Sequence, residues 1–317
     1  MLRVHAHVAL APGPRLIVLG GVHGNETCGT AGIERVHAEI EGGALQLARG
    51  TLTLVPVANP LARRLKRREG ERNLNRSFRP DMAGGDYEGE LTRRLCPLLA
   101  SHDVLLDLHS FQSRGDAFAM IGPRDNDGAL EPFARAAEEG RLARHLCTGR
   151  VVEGWLDIYA EGLRRRGRPL DEKALAFGWG TNEYMRSQGG YGVTLECGQH
   201  DDPAAPEVAH RAIHAALRVL GMVEEAPEHA DESAGVPPHP ELLRLRSVTD
   251  RLDAGDRLVR EWATFDRVKA GEPIGVRHGG EVVNAPGDGF IVFPNAEATP
   301  GTEWFYFAVE SDRRLDA

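Results

Sequence analysis

His23 and Glu26 lie three residues apart in a glycine-rich stretch that directly follows an apolar run at residues 16–19. The run indicates a short buried strand and the residues from Thr27 onward indicate a helix, so both side chains belong to the turn between the two. A tight turn of this kind, which its glycines permit, brings an imidazole and a carboxylate within reach of one cation. With a third ligand from elsewhere in the chain, the pair would complete the His2Glu set that holds catalytic zinc.

The same stretch has two other interpretations. A His-x-x-Glu pair occurs by chance in many chains and then has no connection with a metal. Glycines after a strand are also typical of a dinucleotide-binding loop, whose fingerprint alternates glycines along the turn. Val22 occupies the second glycine position when Gly20 is taken as the first, which excludes that loop. The metal interpretation therefore depends on finding a third ligand.

His109 is the candidate for that third ligand. It closes the apolar run at residues 104–108, and Asp107, two residues earlier, projects to the same face of a strand. A carboxylate in this position could fix the tautomer of a metal-binding imidazole. A single histidine at a strand end is more often structural, but its occurrence together with His23 and Glu26 favours a metal site.

Glu196 is an acidic residue at the end of a further apolar run, residues 192–196. A buried carboxylate without a partner is costly, so this residue should be paired, metal-bound or catalytic. A general base beside zinc-bound water fits, because the metal lowers the pKa of that water to roughly 7. The adjacent Cys197 could be taken for a nucleophile, but without a histidine neighbour a small packed thiol is the better interpretation.

A basic segment follows the second predicted strand and the Asn59-Pro60 pair. Its basic residues are Arg63, Arg64, Lys66, Arg67, Arg68, Arg72, Arg76 and Arg79. Most of these side chains fit a solvated helix or loop. Within the segment, however, Asn75 and Arg76 offer amide and guanidinium donors that could clamp a substrate carboxylate through charge-assisted hydrogen bonds.

Strand-like and helix-like segments alternate up to about residue 222. The predicted strands are residues 16–19, 51–57, 104–108, 117–121 and 192–196, and the predicted helices are residues 27–40, 88–100, 129–146 and 204–220. This alternation predicts an α/β fold with a mostly parallel or mixed sheet and helices on both faces. Ligands of such folds gather beyond the carboxyl ends of the strands, where His23, His109 and Glu196 all fall.

The length of 317 residues suggests two domains. We assign residues 1–223 to a catalytic domain. Residues 224–240 are acidic and rich in proline, alanine and histidine, and we predict a linker there. Residues 241–317 contain short apolar segments separated by glycine and proline turns, which predicts a small all-β domain.

Charge and cysteine content restrict the partners and the compartment. A net charge of -9 argues against nucleic acid or an anionic membrane as partner. The first residues contain no basic-then-apolar signal segment, and no early apolar run is long enough to span a bilayer. The four cysteines are scattered without a Cys-x-x-Cys pair, so we expect reduced thiols and a cytoplasmic protein. The oligomeric state stays open, although the β-domain could support a homo-oligomer.

Short motifs occur in a fixed order along the chain. They are His23-Gly24-Asn25-Glu26, Asn59-Pro60, Leu74-Asn75-Arg76, Asp107-Leu108-His109 and Leu195-Glu196-Cys197-Gly198. Together they resemble the succinylglutamate desuccinylase/aspartoacylase family, a branch of the zinc-carboxypeptidase-like hydrolases. The resemblance covers about residues 15–220 and extends to residues 285–295. It implies a carboxypeptidase-like α/β/α domain with a mixed sheet, followed by a small C-terminal β-domain.

The resemblance also implies an activity, which is zinc-dependent hydrolysis of the amide bond in a small N-acyl amino acid. One zinc ion per subunit would be held by His23, Glu26 and His109. Glu196 would be the general base that assists the attack of zinc-bound water on the acyl carbonyl. The acyl group, of the succinyl or acetyl type, and the amino acid are not specified by the motifs.

Further site residues come from the resemblance alone. Asn75 and Arg76 match the pair that binds the substrate carboxylate, and Arg186 matches a further substrate-binding arginine. Arg68 falls where the family has an arginine that polarises the scissile carbonyl, and losing such an oxyanion donor typically costs ~10²–10³ in rate. The two basic residues directly before Arg68 are alternatives for this role.

The sequence departs from the family pattern at two points. Asn73 replaces an aspartate that supports a zinc-ligating histidine, so zinc would be held less tightly. No tyrosine is in register with the aspartoacylase tyrosine near residues 293–299, and Tyr306 lies too far along the chain. A carboxypeptidase-type metallopeptidase, a deacylase of another amide and a zinc-binding protein without hydrolytic activity are the alternatives. A peptidase is disfavoured because the β-domain could narrow access to the site.

Overall fold

The computed structural model describes residues 1–146, 148–224 and 239–315, so residues 225–238 of the predicted linker lie outside the described residues. The helices are α1 (Cys28–Glu41), α2 (Pro60–Leu65), α3 (Tyr87–Ala100), α4 (Ala136–His145), α5 (Trp155–Arg165), α6 (Glu172–Phe177), α7 (Thr181–Ser187) and α8 (Ala205–Val219), with a 3-10 turn at Pro80–Met82. The strands are β1 (His5–Val8), β2 (Ala11–Leu19), β3 (Arg49–Val55), β4 (Val104–Phe111), β5 (Phe118–Met120), β6 (Arg150–Glu153), β7 (Tyr191–Gln199), β8 (Glu241–Asp250), β9 (Arg257–Leu258), β10 (Arg267–Val268), β11 (Pro273–Val276), β12 (Val282–Asn284), β13 (Gly289–Val292) and β14 (Glu303–Glu310). Within these described ranges, no helix combines the length and the apolar character needed to cross a lipid bilayer.

A mixed sheet of 11 strands organises the molecule, in the order β1-β3-β2-β4-β7-β5-β6-β8-β14-β13-β10. Strands β3, β2, β4 and β7 run parallel to one another, whereas β5 pairs antiparallel with β7. The predicted α/β class with a mixed sheet is therefore confirmed. Because β2, β4 and β7 are parallel neighbours, their carboxyl ends meet at one edge of the sheet, where ligands of such folds bind.

The two faces of the sheet are covered by separate apolar layers. Leu16 and Val18 of β2 pack in a layer with side chains of α1 and α8, whereas Ile17 and Leu19 pack in a layer with side chains of α3 and α7. The alternation follows from the two-residue period of a strand. The four side chains are fully buried. Helices on both faces thus hold β2, and the turn that follows it, in a fixed position.

The described residues after the predicted linker, 241–315, form strands and no helix. Strand β8 pairs in parallel with β6, and β14, β13 and β10 continue outward from β8, so these strands extend the central sheet. Strands β9, β11 and β12 form a separate three-stranded sheet. The all-strand character agrees with the sequence, while the boundaries 1–223, 224–240 and 241–317 and the separateness of the last unit stay predictions.

One predicted helix starts later than expected. The helix over residues 129–146 begins at Ala136 in the structure. Before it, Asn126 and Phe133 each donate a backbone N–H to the carbonyl of the other, at 2.8 and 3.0 Å. Pro132 lies in this segment and has no N–H to give to a helix. The strands β1 and β6 and the short helices α2, α6 and α7 are absent from the sequence prediction, because segments of this length carry little periodicity. The 11-residue helix α5 is absent from it as well.

Three of the four cysteines can be described. Cys28, Cys96 and Cys197 are free and buried, as the sequence predicts, and Cys147 lies outside the described residues. Burial raises the pKa of the Cys197 thiol well above its ordinary value. A thiol with a raised pKa is a poor nucleophile, which supports its interpretation as a packed side chain. The cytoplasmic compartment stays a prediction.

Candidate active site

The turn after β2 brings His23 and Glu26 together. Gly21 has a φ of +57°, in the left-handed region that glycine adopts without a Cβ clash. Gly24 lies so close to α2 that a Cβ there would be 2.0 Å from the carbonyl carbon of Ala62. The backbone N–H of Glu26 donates to the carbonyl of His23 at 3.2 Å. The closed turn directs both side chains to the carboxyl edge of the sheet.

His109 reaches the same point from β4. Nδ1 of His23 lies 2.9 Å from Oε1 of Glu26, and Nδ1 of His109 lies 2.9 Å from Oε2. The ligand atoms of the three residues all lie within 4.8 Å of one another, and the side chains are almost completely buried. Two imidazoles and one carboxylate at this spacing fit a single zinc ion with an open position. The structure thus brings the three predicted ligands together.

The other ring nitrogen of each imidazole faces an oxygen atom. Nε2 of His23 lies 3.1 Å from Oδ1 of Asn73, so the amide that replaces the family's aspartate keeps the contact without the charge. Oδ2 of Asp107 lies 3.0 Å from Nε2 of His109, off the direction of the ring N–H, and also accepts a hydrogen bond from the Thr181 hydroxyl. The Asn73 contact favours the tautomer of His23 in which Nδ1 is available to a metal.

Burial and the neighbouring charges set the protonation of these groups. Burial lowers the pKa of His23 to about 4. Burial opposes the charged form of Glu26, but the imidazoles of His23 and His109 outweigh it and hold the pKa of Glu26 well below its ordinary value. Burial also opposes the charged form of His109, but Asp107 and Glu26 raise its pKa well above the ordinary value. At neutral pH, Glu26 is therefore anionic and His23 neutral, the forms in which they bind metals, whereas His109 carries a proton that a bound metal would displace.

Glu196 lies beside His109 on the neighbouring strand. The two residues are register partners of β7 and β4, so their side chains share one face of the sheet. Glu196 is 8% exposed, and its Oε2 has no hydrogen-bond partner among the described residues. Burial raises the pKa of this carboxyl to about 8. A buried carboxyl oxygen without a partner, next to three metal-ligand candidates, has the properties of a proton-transfer group.

Arg68 is the basic residue that contacts this cluster. Its Nη1 donates to Oε1 of Glu26 at 3.1 Å, while half of the side chain stays exposed. Arg67 instead donates to the carbonyl of Gly70 at 3.4 Å, and Lys66 forms the C-terminal cap of α2 in the left-handed conformation. These contacts favour Arg68 over its two basic neighbours for a role on the substrate carbonyl.

Asn75 and Arg76 line the cleft beside the cluster. Oδ1 of Asn75 accepts the backbone N–H of Thr181 at 2.9 Å, which leaves the amide nitrogen as a donor. The Arg76 guanidinium lies 5.0 Å from the centre of the Trp155 ring and donates to the carbonyl of Asn75 at 2.7 Å. No carboxylate among the described residues forms an ion pair with Arg76. This guanidinium is therefore available to an anionic ligand.

Arg186 is enclosed in a network of carboxylates. Its nitrogens contact Glu131 at 2.7 Å, Glu139 at 2.8 Å and Glu183 at 3.5 Å, and Nη2 donates to the carbonyl of Gly192 at 3.1 Å. The side chain is only 3% exposed. The guanidinium is thus occupied within the protein, which indicates that it holds α7 against the segments that carry Glu131 and Glu139. A contact between Arg186 and substrate stays a prediction. The ion pairs of Arg186 with the three glutamates argue against it.

The cluster lies in a cleft of about 1650 Å³ to which the C-terminal segment contributes Phe293, Pro294, Asn295 and Tyr306. Tyr306, which sequence register places too far along the chain, has its ring centre 6.0 Å from that of Trp155. Its position follows from the antiparallel pairing of Tyr306 with Val292, which brings β14 back beside the end of β13. Sequence spacing does not reveal that pairing.

His200 is a further cleft residue that the motif analysis missed. Its Nδ1 lies 2.9 Å from the hydroxyl of Ser110, and its Nε2 lies 3.4 Å from the amide nitrogen of Asn25. The feature that could have indicated His200 as a site residue is its position directly after β7, at the same edge of the sheet as His109. It connects the loop after β7 with both of the segments that carry the candidate metal ligands.

Comparison with known proteins agrees with this arrangement. Residues 12–140 match the family model described as the succinylglutamate desuccinylase/aspartoacylase catalytic domain. This match confirms the family resemblance. A probable aspartoacylase from Parasynechococcus marenigrum (strain WH8102) is 33% identical over 157 residues, which are 44% of this chain and 50% of that protein. An N-alpha-acetyl-L-2,4-diaminobutyric acid deacetylase from Halomonas elongata is 33% identical over 107 residues, 31% of this chain and 29% of that protein.

A solved structure shares the fold of the whole chain. The crystal structure of a succinylglutamate desuccinylase/aspartoacylase from Rhodobacter sphaeroides has a TM-score of 0.72 at 18% identity, with 98% of this chain and 88% of that chain covered. The sequence matches, in contrast, span half or less of the two curated relatives. The desuccinylase/aspartoacylase fold therefore extends beyond the segment that matches in sequence.

Proposed function

We propose that this protein is a zinc-dependent hydrolase that cleaves the amide bond of a small N-acyl amino acid. The observation that carries the proposal is the convergence of His23, Glu26 and His109 beside Glu196 on the neighbouring strand. The two curated relatives are named for an aspartoacylase and for a deacetylase of an N-acetylated diamino acid, and both names agree with amide cleavage.

His23, Glu26 and His109 are the proposed zinc ligands. Bound zinc supplies a Lewis acid that polarises a carbonyl group and lowers the pKa of water to roughly 7. Asn73 lies at Nε2 of His23 and Asp107 lies at Nε2 of His109, and we assign to both the orientation of these imidazoles from the side opposite to the zinc. The neutral amide of Asn73 supports the imidazole of His23 less strongly than a carboxylate would.

Glu196 is the proposed general base and acid. Only the ionised form, the minor form at neutral pH in the metal-free protein because burial raises the pKa to about 8, can take a proton from the attacking water. The same group later gives that proton to the amine nitrogen as the C–N bond breaks, so the products are a carboxylic acid and a free amine. The absence of a competing hydrogen bond at Oε2, among the described residues, supports this role because the oxygen is free to accept from water.

Three further residues are proposed to hold the substrate. Arg68 donates to the carbonyl oxygen as it becomes negatively charged, a contribution that is typically worth ~10²–10³ in rate. Arg76 and Asn75 bind the substrate carboxylate, because one has a guanidinium without a carboxylate partner and the other a free amide nitrogen.

The Glu196→Gln variant tests the assignment. Glutamine has nearly the same size but cannot accept the proton, so hydrolysis should fall by at least about 100-fold, the lower end for general-base catalysis. Zinc content should not change, because Glu196 is not a proposed ligand. A panel of N-acetyl and N-succinyl amino acids and short peptides, measured on the zinc-loaded wild type, identifies the acyl group. Wild-type turnover by the variant, or no turnover of any acyl amino acid by the wild type, would contradict the proposal.

A further inference from the structure

A second group of histidines lies away from the cleft, between β1 and α1. We call it the N-terminal histidine cluster, and it consists of His5, His7, His37 and Glu41. His5 and His7 project from the same face of β1, since they are two residues apart on a strand. His37 and Glu41 share one face of α1, since they are four residues apart on a helix. The ring centres of His5 and His37 are 3.9 Å apart, and those of His7 and His37 are 5.3 Å apart.

The spacing of the ligand atoms matches a metal site. Nε2 of His7 lies 3.2 Å from Nδ1 of His37, and the ligand atoms of these two residues and Glu41 all lie within 4.8 Å of one another. Two nitrogens bound tetrahedrally to one zinc ion, each at about 2.0–2.1 Å, are separated by roughly 3.3 Å. The two imidazoles therefore already have the separation of ligands. The Glu41 side chain is 66% exposed and can rotate toward them, and His5 is available as a fourth ligand.

The charges around the cluster also suit a cation. The acidic residues Glu34 and Glu41 act on His5 from the helix, against one basic residue, Arg3.

We propose that the N-terminal histidine cluster is a second metal site, for a transition-metal dication of the zinc type. Sets of imidazoles with one carboxylate suit Zn²⁺, Ni²⁺ or Cu²⁺ rather than Mg²⁺ or Ca²⁺. The ion would join β1, the first strand at one edge of the sheet, to α1, the helix that follows the turn with His23 and Glu26. Its role is structural, because none of its ligands lines the cleft.

A similar group lies on another face of α1. Nε2 of His210 and Nε2 of His214 each lie 2.7 Å from one oxygen of Glu39, and the guanidinium of Arg35 lies 3.5 Å from the same carboxylate. The Glu26 carboxylate has contacts of the same kind with two imidazoles and with Arg68, so these contacts do not separate the two groups. The His214→Ala variant therefore measures any zinc bound at the Glu39 group separately.

The test is zinc titration of untagged, chelator-stripped protein in competition with a chromophoric chelator. The wild type should bind about two zinc ions per chain, one at each His/Glu set. His7→Ala and His37→Ala should each lose one of the two, whereas His109→Ala should lose the other. His278→Ala is the matched control that should keep both, since His278 is 73% exposed, and His214→Ala reports on the Glu39 group.

Melting curves give the second readout. Without metal, His37→Ala and the wild type should melt at similar temperatures, and added zinc should raise the melting temperature of the wild type more than that of the variant. Unchanged zinc binding in both His7→Ala and His37→Ala would overturn the proposal, as would a loss in His214→Ala instead. A wild type that binds one zinc ion, lost in His37→Ala and kept in His109→Ala, would support this site and contradict the proposed catalytic one.

Discussion

His109 and Glu196 stand side by side on the adjacent parallel strands β4 and β7, as direct register partners. Their backbones are fixed by the ladder of the sheet, and their side chains emerge on the same face. The proposed metal ligand and the proposed general base therefore keep a constant separation without help from a flexible loop. The turn after β2, the other neighbour of β4, adds His23 and Glu26 from the opposite side.

Arg76→Lys should raise KM for an acyl amino acid with little change in kcat. Lysine keeps the charge but loses the planar fork that binds a carboxylate through two hydrogen bonds. One charged hydrogen bond is worth about 1.5–3 kcal/mol, or roughly 10–150-fold in KM. The matched control is Arg79→Lys, because Arg79 also lies over a tryptophan, Trp179 at 5.2 Å, but is already paired with Asp81 and Glu172. Steady-state kinetics that show equal effects in both variants would contradict the role of Arg76.

Arg186→Met should lower the free energy of unfolding by about 3–5 kcal/mol, because it leaves the carboxylates of Glu131 and Glu139 buried without their cation. Chemical denaturation measures the change. Arg124→Met is the control, since Arg124 is half exposed in its pair with Asp312 and should matter far less. Unchanged stability together with a raised KM would instead support Arg186 as a substrate-binding residue.

Asp256→Asn should destabilise the protein in a pH-dependent way. Burial opposes the charged form, but the N–H groups of Leu252 and His278 and the guanidinium of Arg277 outweigh it and lower the pKa of Asp256 below its ordinary value of 3.8. A lowered folded-state pKa contributes stability that is fully present above the unfolded pKa and is lost as pH falls toward the folded one. The variant should therefore lose about 1–3 kcal/mol at pH 7 and approach the wild type below about pH 4.

Urea denaturation at neutral and acidic pH measures this difference. Asp288→Asn is the control, because Asp288 accepts a comparable backbone N–H from Ala270 but is mostly exposed, so its loss should matter less. A deficit of Asp256→Asn that stays the same at both pH values would show that the carboxylate charge is not what stabilises this turn.

The candidate ligands His23 and His109 and the candidate base Glu196 could be predicted from sequence because each closes or follows an apolar run. His109 and Glu196 directly close such runs, and His23 follows one within a glycine turn. Parallel strands in an α/β sheet end at the same edge, so local pattern and topology lead to the same place. Asn73 could also be anticipated, since an amide oxygen accepts the same hydrogen bond as a carboxylate.

Residues whose position depends on distant pairing could not be predicted. Arg186 matched a substrate-binding position by its spacing from Glu196, but its partners Glu139 and Glu131 lie 47 and 55 residues earlier in the chain. Tyr306 reaches the cleft only because β14 returns antiparallel to β13. Neither relationship leaves a periodic signal in the sequence.

The most direct test of the proposed metal centre is anomalous X-ray diffraction at the zinc edge from crystals of the zinc-loaded protein. We expect a peak about 2.0–2.2 Å from Nδ1 of His23, the Glu26 carboxylate and Nδ1 of His109. A peak at the N-terminal histidine cluster would not affect this result. Zinc-loaded crystals in which these three side chains bind no ion would contradict the proposed catalytic site.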